Sequence, residues 1–179
     1  MRNKGTVAAL MLSAVLILGG CSADKAEEPP KQTPKAGAEQ AHEHGAQSQL
    51  PNGDLREVTA SKDKLPEFLN SQSKEIQMVY ALAAQVSDEL EYVPCYCGCG
   101  ESAGHKSNLN CFINEIRDDG SVEWDDHGTR CGVCLDIAVE TAKLKSEGTS
   151  LTDIRSTIDE KYKTGYAKPT PTPMPKESN

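Results

Sequence analysis

Six of the seven cysteines lie close together in this chain of 179 residues, and they constrain its fold more than any other feature. They form one group of four and one of two: Cys95, Cys97, Cys99 and Cys111, then Cys131 and Cys134. Thiols gathered in this way bind metal ions, pair as disulfides or exchange electrons as redox pairs.

The run Cys95-Tyr-Cys97-Gly-Cys99 places a cysteine at every second position. In an extended strand these side chains would share one face, with successive cysteine Cα atoms about 6.6–7 Å apart. That spacing is at or beyond the limit for a disulfide, whose Cα atoms lie about 4.4–6.8 Å apart. Because Gly98 and Gly100 are free to adopt positive φ, we expect the loop to curl and bring its thiolates to one point, as a metal site requires.

The pair Cys131-Gly-Val-Cys134 has a separation typical of zinc ligands and of redox pairs. We expect it at the start of a helix, where free N–H groups and the helix dipole favour a thiolate. His105 and His127 add two imidazoles, which makes enough ligands for two four-coordinate sites of Cys3His type. Thiolate and imidazole ligands together favour zinc or copper. The predicted metal ligands are Cys95, Cys97, Cys99, His105, Cys111, His127, Cys131 and Cys134.

The N-terminus has the layout of an export signal. Arg2 and Lys4 precede an apolar run at 7–18, which at about a dozen residues is shorter than the roughly 20 needed to span a bilayer. The following Leu18-Gly-Gly-Cys21 resembles the lipobox of bacterial lipoproteins, which implies cleavage before Cys21 and a diacylglyceryl group on its sulfur. Two acyl chains anchor a protein stably. We therefore predict a lipoprotein on the extracytoplasmic face of the cell membrane.

Composition divides the chain into four predicted segments: a signal peptide at 1–20, a lipid-anchored disordered tether at 21–55, a Cys/His domain at 56–168 and a Pro/Thr-rich tail at 169–179. The tether contains too few large apolar residues to offset the entropy of ordering it. The tail is predicted to be extended and to lie outside any core. A formal net charge of −8 and only two Phe and one Trp argue against nucleic-acid binding. The predicted partner is the membrane, contacted through the lipid on Cys21.

Apolar residues at helical spacing predict helices at about 73–90, 131–148 and 150–165. The last has a capping arrangement at its first residues. Asp119-Gly120 lies between short apolar runs and predicts a hairpin, although a short helix fits the same region. We therefore expect a mainly α single domain of about three helices, with an irregular cysteine-rich central loop or a short hairpin.

Two other interpretations of the cysteines stay open. An even number of cysteines in a small exported domain is typical of structural disulfides, here three. Alternatively, Cys131 would attack as a thiolate and Cys134 would resolve the mixed disulfide, although no thioredoxin-like βαβ pattern surrounds them. No hydrolase elbow, phosphate loop or paired-carboxylate site is found, and 118–119 and 125–126 are interpreted as turn and surface charges. No catalytic residue is assigned, and a binding protein is favoured over an enzyme.

The motif Pro94-Cys-Tyr-Cys-Gly-Cys99, followed by Gly104-His105, Asn110-Cys111, Asp126-His127 and Cys131-Gly-Val-Cys134, resembles a bacterial family named for its PCYCGC motif. Many members are predicted lipoproteins, and the family has no assigned activity. The resemblance implies that the cysteines act as a unit and implies no mechanism. A weaker similarity links Cys131 and Cys134 to small thiol oxidoreductases of cytochrome c maturation, which lack the Cys-Tyr-Cys-Gly-Cys run.

Overall fold

The structure is a computed structural model that describes residues 44–176. The predicted signal peptide, the predicted lipidation site Cys21 and the predicted tether as far as residue 43 lie outside the described residues. None of the helices within 44–176 has both the length and the apolar character needed to cross a membrane.

An antiparallel sheet of four strands corrects the expectation of a mainly α fold. The strands lie in the order β1-β2-β4-β3 and are β1 (Gln47–Gln49), β2 (Leu55–Thr59), β3 (Ile113–Ile116) and β4 (Val122–Asp125). The domain is therefore mixed α and β, and its sheet includes β1, which lies within the segment interpreted as tether. The sequence of β2 shows no alternating apolar pattern. Its central residue, Glu57, is of a type expected at the surface, but its carboxylate is buried.

The carboxylate of Glu57 is buried because it has several hydrogen-bond donors. It accepts from the backbone N–H groups of Glu67 and Phe68 at 2.5 and 3.2 Å, and from Nε2 of Gln47 at 2.9 Å. Without these partners the buried charge of Glu57 would destabilise the fold, by an amount on the order of several kcal/mol. This carboxylate joins β1 and β2 to the 3-10 helix that precedes the first α-helix.

Within residues 44–176, five α-helices and three 3-10 helices accompany the sheet. The α-helices are α1 (Lys74–Gln85), α2 (Ser87–Leu90), α3 (Gly100–Ala103), α4 (Gly132–Ser146) and α5 (Leu151–Lys161). The 3-10 helices are Glu67–Ser71, Asn108–Cys111 and Asp126–Arg130. The single helix predicted at 73–90 is interrupted at Val86, which is not helical (φ −111°, ψ 26°). The predicted hairpin is confirmed, with Gly120 at φ 86° in the turn between β3 and β4.

An aromatic cluster joins α1 to the sheet. The ring of Tyr80 lies 5.1 Å from that of Phe112 in an edge-to-face contact and 6.3 Å from that of Trp124. Trp124 is fully buried and donates through Nε1 to Oγ1 of Thr59, while the Tyr80 hydroxyl donates to the carbonyl of Asp125. Because the polar groups of Trp124 and Tyr80 have hydrogen-bond partners, the cluster stabilises the position of the end of β4. The 3-10 helix that follows β4 carries His127.

Candidate metal centre

Three separate segments bring the cysteines together. Cys95, Cys97 and Cys99 lie on the loop between α2 and α3, and Cys111 ends the 3-10 helix that precedes β3. Cys131 is the N-cap residue of α4 and Cys134 lies in its first turn, which confirms the predicted helix start at this pair.

The sulfur atoms of the first and last groups are in contact. The Sγ atom of Cys95 lies 3.0 Å from that of Cys97 and 3.6 Å from those of Cys111 and Cys134. All six cysteines of residues 44–176 are free thiols, so no disulfide joins them. The predicted convergence is thus present for Cys95, Cys97, Cys111 and Cys134.

The loop curls at Gly98, which has a φ of 85°. The curl allows the backbone N–H of Cys99 to donate to the sulfur of Cys97 at 3.3 Å. Gly100 is needed for a different reason, because a Cβ there would lie 2.6 Å from Cγ2 of Thr170 in the C-terminal tail. Gly98 thus forms the predicted curl, whereas Gly100 permits close packing rather than a curl.

The C-terminal tail lies against the cysteine loop, although it was predicted to lie outside the core. The N–H of Thr170 donates to the carbonyl of Cys95, and Oγ1 of Thr170 accepts from the N–H of Cys95 at 2.9 Å. Arg155 on α5 donates through Nη1 to the carbonyls of Tyr92, Thr172 and Pro173. Residues 169–176 of the tail form no helix or strand, and they are held by these hydrogen bonds to the loop and to α5.

His127 lies on the other side of Cys97. The potential ligand atoms of Cys97, Cys99 and His127 are all within 4.8 Å of one another. Nδ1 of His127 is 3.2 and 3.3 Å from the two carboxylate oxygens of Asp54, and one of these oxygens, Oδ1, also accepts from Nη2 of Arg130. Since Nδ1 is engaged by Asp54, Nε2 is the nitrogen that remains for a metal ion.

His105 lies between Cys111 and His127. Its Nδ1 is 3.5 Å from the sulfur of Cys111, and its ring meets that of His127 edge to face at 4.7 Å. Its Nε2 is buried without a hydrogen-bond partner among the described residues. His105 also lines a cleft of about 860 Å³ between the cysteine loop and the tail.

The model of a protein family of unknown function with a PCYCGC motif matches residues 10–175. The chain belongs to this PCYCGC-motif family. No curated protein and no solved structure matches it. The motif residues of this PCYCGC protein are those that form the loop at Cys95–Cys99.

Contacts within the cluster shift the pKa values of its thiols in opposite directions. The pKa of Cys97 lies far below its usual range, because neighbouring thiols, Cys111 first among them, donate hydrogen bonds to its sulfur. The pKa of Cys134 is raised, because its hydrogen bonds to Cys111 and other thiols and its burial favour the protonated form. Negative charge is therefore concentrated on Cys97 in the metal-free PCYCGC protein.

The pKa values of the two imidazoles are also shifted in opposite directions. The hydrogen bond to Cys97, reinforced by the charge of Asp54, raises the pKa of His127 to about 9. Burial, together with the charge of nearby His127, lowers the pKa of His105 to about 4. At neutral pH and without metal, His127 is thus a cation facing a thiolate, while His105 is neutral.

Sequence reasoning missed the carboxylates that surround His127. Asp54 is buried, yet it lies in the segment interpreted as tether, and its contact with His127 joins residues 73 positions apart. Asp125, interpreted as a surface charge, is fully buried and accepts from Nε of Arg56 and from the N–H of His127. The Asp125-Asp126-His127 order was the one available signal, since it places acidic side chains beside a candidate ligand.

Proposed function

We propose that this PCYCGC protein is a lipid-anchored extracytoplasmic lipoprotein whose Cys/His cluster binds a transition metal, zinc or copper(I). The observation that carries the proposal is the contact of thiols from three separate segments at Cys95 and Cys97. The anchor rests on the sequence pattern that ends at Cys21.

Sulfur spacing supports a metal ion at this point. Zinc binds thiolates at about 2.3 Å, which places tetrahedral sulfurs about 3.8 Å apart. The distances of 3.6 Å from Cys95 to Cys111 and to Cys134 are close to that value. The sulfurs of Cys95, Cys97 and Cys134 all lie within 4.8 Å of one another. These sulfurs lie slightly closer together than around a bound zinc ion, so a small outward movement of the side chains is enough to admit one ion.

The surroundings of His127 support the same interpretation. Histidine ligands commonly donate their second ring N–H to a carboxylate, which fixes the tautomer and raises the basicity of the ligating nitrogen. Asp54 has this position relative to His127, and Arg130 holds Asp54 in turn. A set of structural disulfides would not require an imidazole oriented in this way.

A redox function has less support. Catalytic cysteines are activated by a lowered pKa. At Cys131 a hydrogen bond from Cys134 lowers the pKa, but the contact with Cys97 and burial raise it by more. The site therefore favours metal binding for protein stability, for sequestration or for delivery.

The test is metal analysis of the chain carrying Cys21→Ser, purified without oxygen, with a thiol count in denaturant. We expect stoichiometric zinc or copper and six free thiols per chain. A protein that contains no metal, binds none after reduction and has no free thiols would overturn the proposal.

The role of the metal is tested by removing it. If the metal is structural, chelation unfolds the domain; if it is stored or delivered, chelation leaves the fold intact and metal returns on addition. Anchoring is tested separately by incorporation of labelled palmitate, which Cys21→Ser is expected to abolish. Equal labelling of the wild-type and variant chains would contradict the anchor.

A further inference from the structure

Two groups of potential ligands share one cysteine. Cys95, Cys97 and Cys134 form the inner group, and Cys97, Cys99 and His127 form the outer group. Within each group the ligand atoms lie within 4.8 Å of one another. Cys111 and Cys131 adjoin them, so seven donors surround the region in addition to His105, which contacts Cys111, whereas a zinc ion takes four. One ion therefore leaves three donors unused.

The two remaining cysteines are placed to complete the two groups. The sulfur of Cys111 lies 3.6 Å from that of Cys95 and also contacts Cys134, which assigns it to the inner group. Cys131 contacts both Cys134 and the shared Cys97, but it also lies close to Cys99 and is partly exposed, as Cys99 is, which assigns it to the outer group. Each group then has three ligands of its own and shares Cys97.

We infer that the cluster holds two metal ions, with the Cys97 thiolate as a bridging ligand between them. This inference rests on the proposed metal-binding function. The inner ion is bound by Cys95, Cys111 and Cys134, and the outer ion by Cys99, Cys131 and His127. Both ions are four-coordinate, and all six cysteines are used.

Charge supports two ions over one. Six thiolates at this position carry six negative charges, and buried uncompensated charge is costly. Two divalent ions neutralise four of these charges, whereas one ion neutralises two. The N–H of Cys99 donates to the sulfur of Cys97, a contact that stabilises electron-rich thiolates.

Burial makes the two positions unequal. The side chains of Cys95, Cys111 and Cys134 are buried, while Cys99 and Cys131 are partly exposed. His127 is also partly exposed. We therefore expect a chelator to remove the outer ion first and the inner ion much more slowly.

The experiment titrates the metal-free Cys21→Ser chain without oxygen, using Co(II) as the spectroscopic probe and Zn(II) followed by native mass spectrometry. We expect two equivalents of either ion. A shared thiolate couples two Co(II) ions magnetically, so the electron paramagnetic resonance signal per cobalt should fall as the second equivalent binds. Cys99→Ser should bind one ion without coupling.

Controls separate this inference from the proposed function. Glu101→Gln, two positions from Cys99 and exposed, should still bind two coupled ions. Three results would overturn the bridged pair and leave metal binding intact. They are one uncoupled ion in the starting chain, two coupled ions in Cys99→Ser, and binding of more than two Cu(I) with exclusion of Zn(II). Failure to bind any ion would overturn both.

Discussion

The carboxylate of Asp54 lies 3.2 Å from Nδ1 of His127, and the two residues are 73 positions apart in the chain. A carboxylate accepts, so the proton of the neutral imidazole is held on Nδ1. In the metal-free cation Nε2 is also protonated and faces Cys97, and loss of that proton would leave its lone pair for a metal ion. Asp54 precedes β2, so its contact with His127 joins the sheet to the candidate metal centre.

Replacing Asp54 by Asn should weaken binding of the outer ion about 10- to 100-fold, the usual effect of losing a carboxylate behind a ligating histidine. The measurement is competition for Zn(II) against a chromophoric chelator. Asp63→Asn is the matched control, because Asp63 is exposed. Equal affinities for the two variants would show that Asp54 does not orient His127.

Gly128→Ala should destabilise the metal-free protein by about 1–3 kcal/mol, the usual cost of overpacking a core. A Cβ at this position would lie 2.7 Å from Cε1 of Phe112 and 2.8 Å from the carbonyl oxygen of Cys111. Both neighbours are buried, so the added methyl group displaces the segment that carries Cys111. Urea denaturation measures the effect.

Gly132→Ala is the control for this substitution. Gly132 is the first residue of α4, and no atom lies within 4 Å of a Cβ added there. This variant should be as stable as the wild type or more stable, by up to about 1 kcal/mol, since alanine favours helix over glycine. A destabilisation as large as that of Gly128→Ala would contradict the packing argument.

Thr170→Val should destabilise the protein by about 1–3 kcal/mol, because it leaves the buried N–H of Cys95 without an acceptor. Valine keeps the shape of threonine, so the loss reports the hydrogen bond. We also expect faster exchange of the Cys95 amide hydrogen and faster loss of metal. The control is Thr164→Val, at an exposed position, which should change neither stability, amide exchange nor metal loss. If Thr170→Val and Thr164→Val gave the same stability and exchange rates, the tail would not hold the loop.

The two histidines should titrate far apart in the reduced, metal-free protein, and NMR of the imidazoles measures this directly. His127 has a pKa raised to about 9, so its contribution to stability is complete below its usual value of about 6.5 and is lost as pH rises through 9. His105 has a pKa lowered to about 4, so burial of its neutral form costs stability as pH falls from 6.5 towards 4.

Denaturation of the metal-free protein at pH 6.5 and pH 9 tests the first of these effects. His127→Asn should reduce the loss of stability over this interval. Superimposable pH dependences of the variant and the wild type would contradict the contact between His127 and Cys97.

Local patterns predicted the local elements. Ser73 and Ser150 cap α1 and α5 through their side chains, and α4 begins at Gly132, between Cys131 and Cys134. These features depend on residues within a few positions, which a sequence pattern records. The hairpin of β3 and β4 was predicted, but β1 and β2 were not, because these strands are short and Glu57 is buried.

The sequence by itself determined which donors are available and that Gly98 lets the loop curl between Cys97 and Cys99. Only the tertiary structure decided how the donors divide around Cys97. Cys95 meets Cys111 and Cys134 across separations of 16 and 39 positions, and His127 meets Asp54 across 73. Contacts at such separations depend on how α1, α4 and the sheet pack together, and residue spacing along the chain contains no record of that packing.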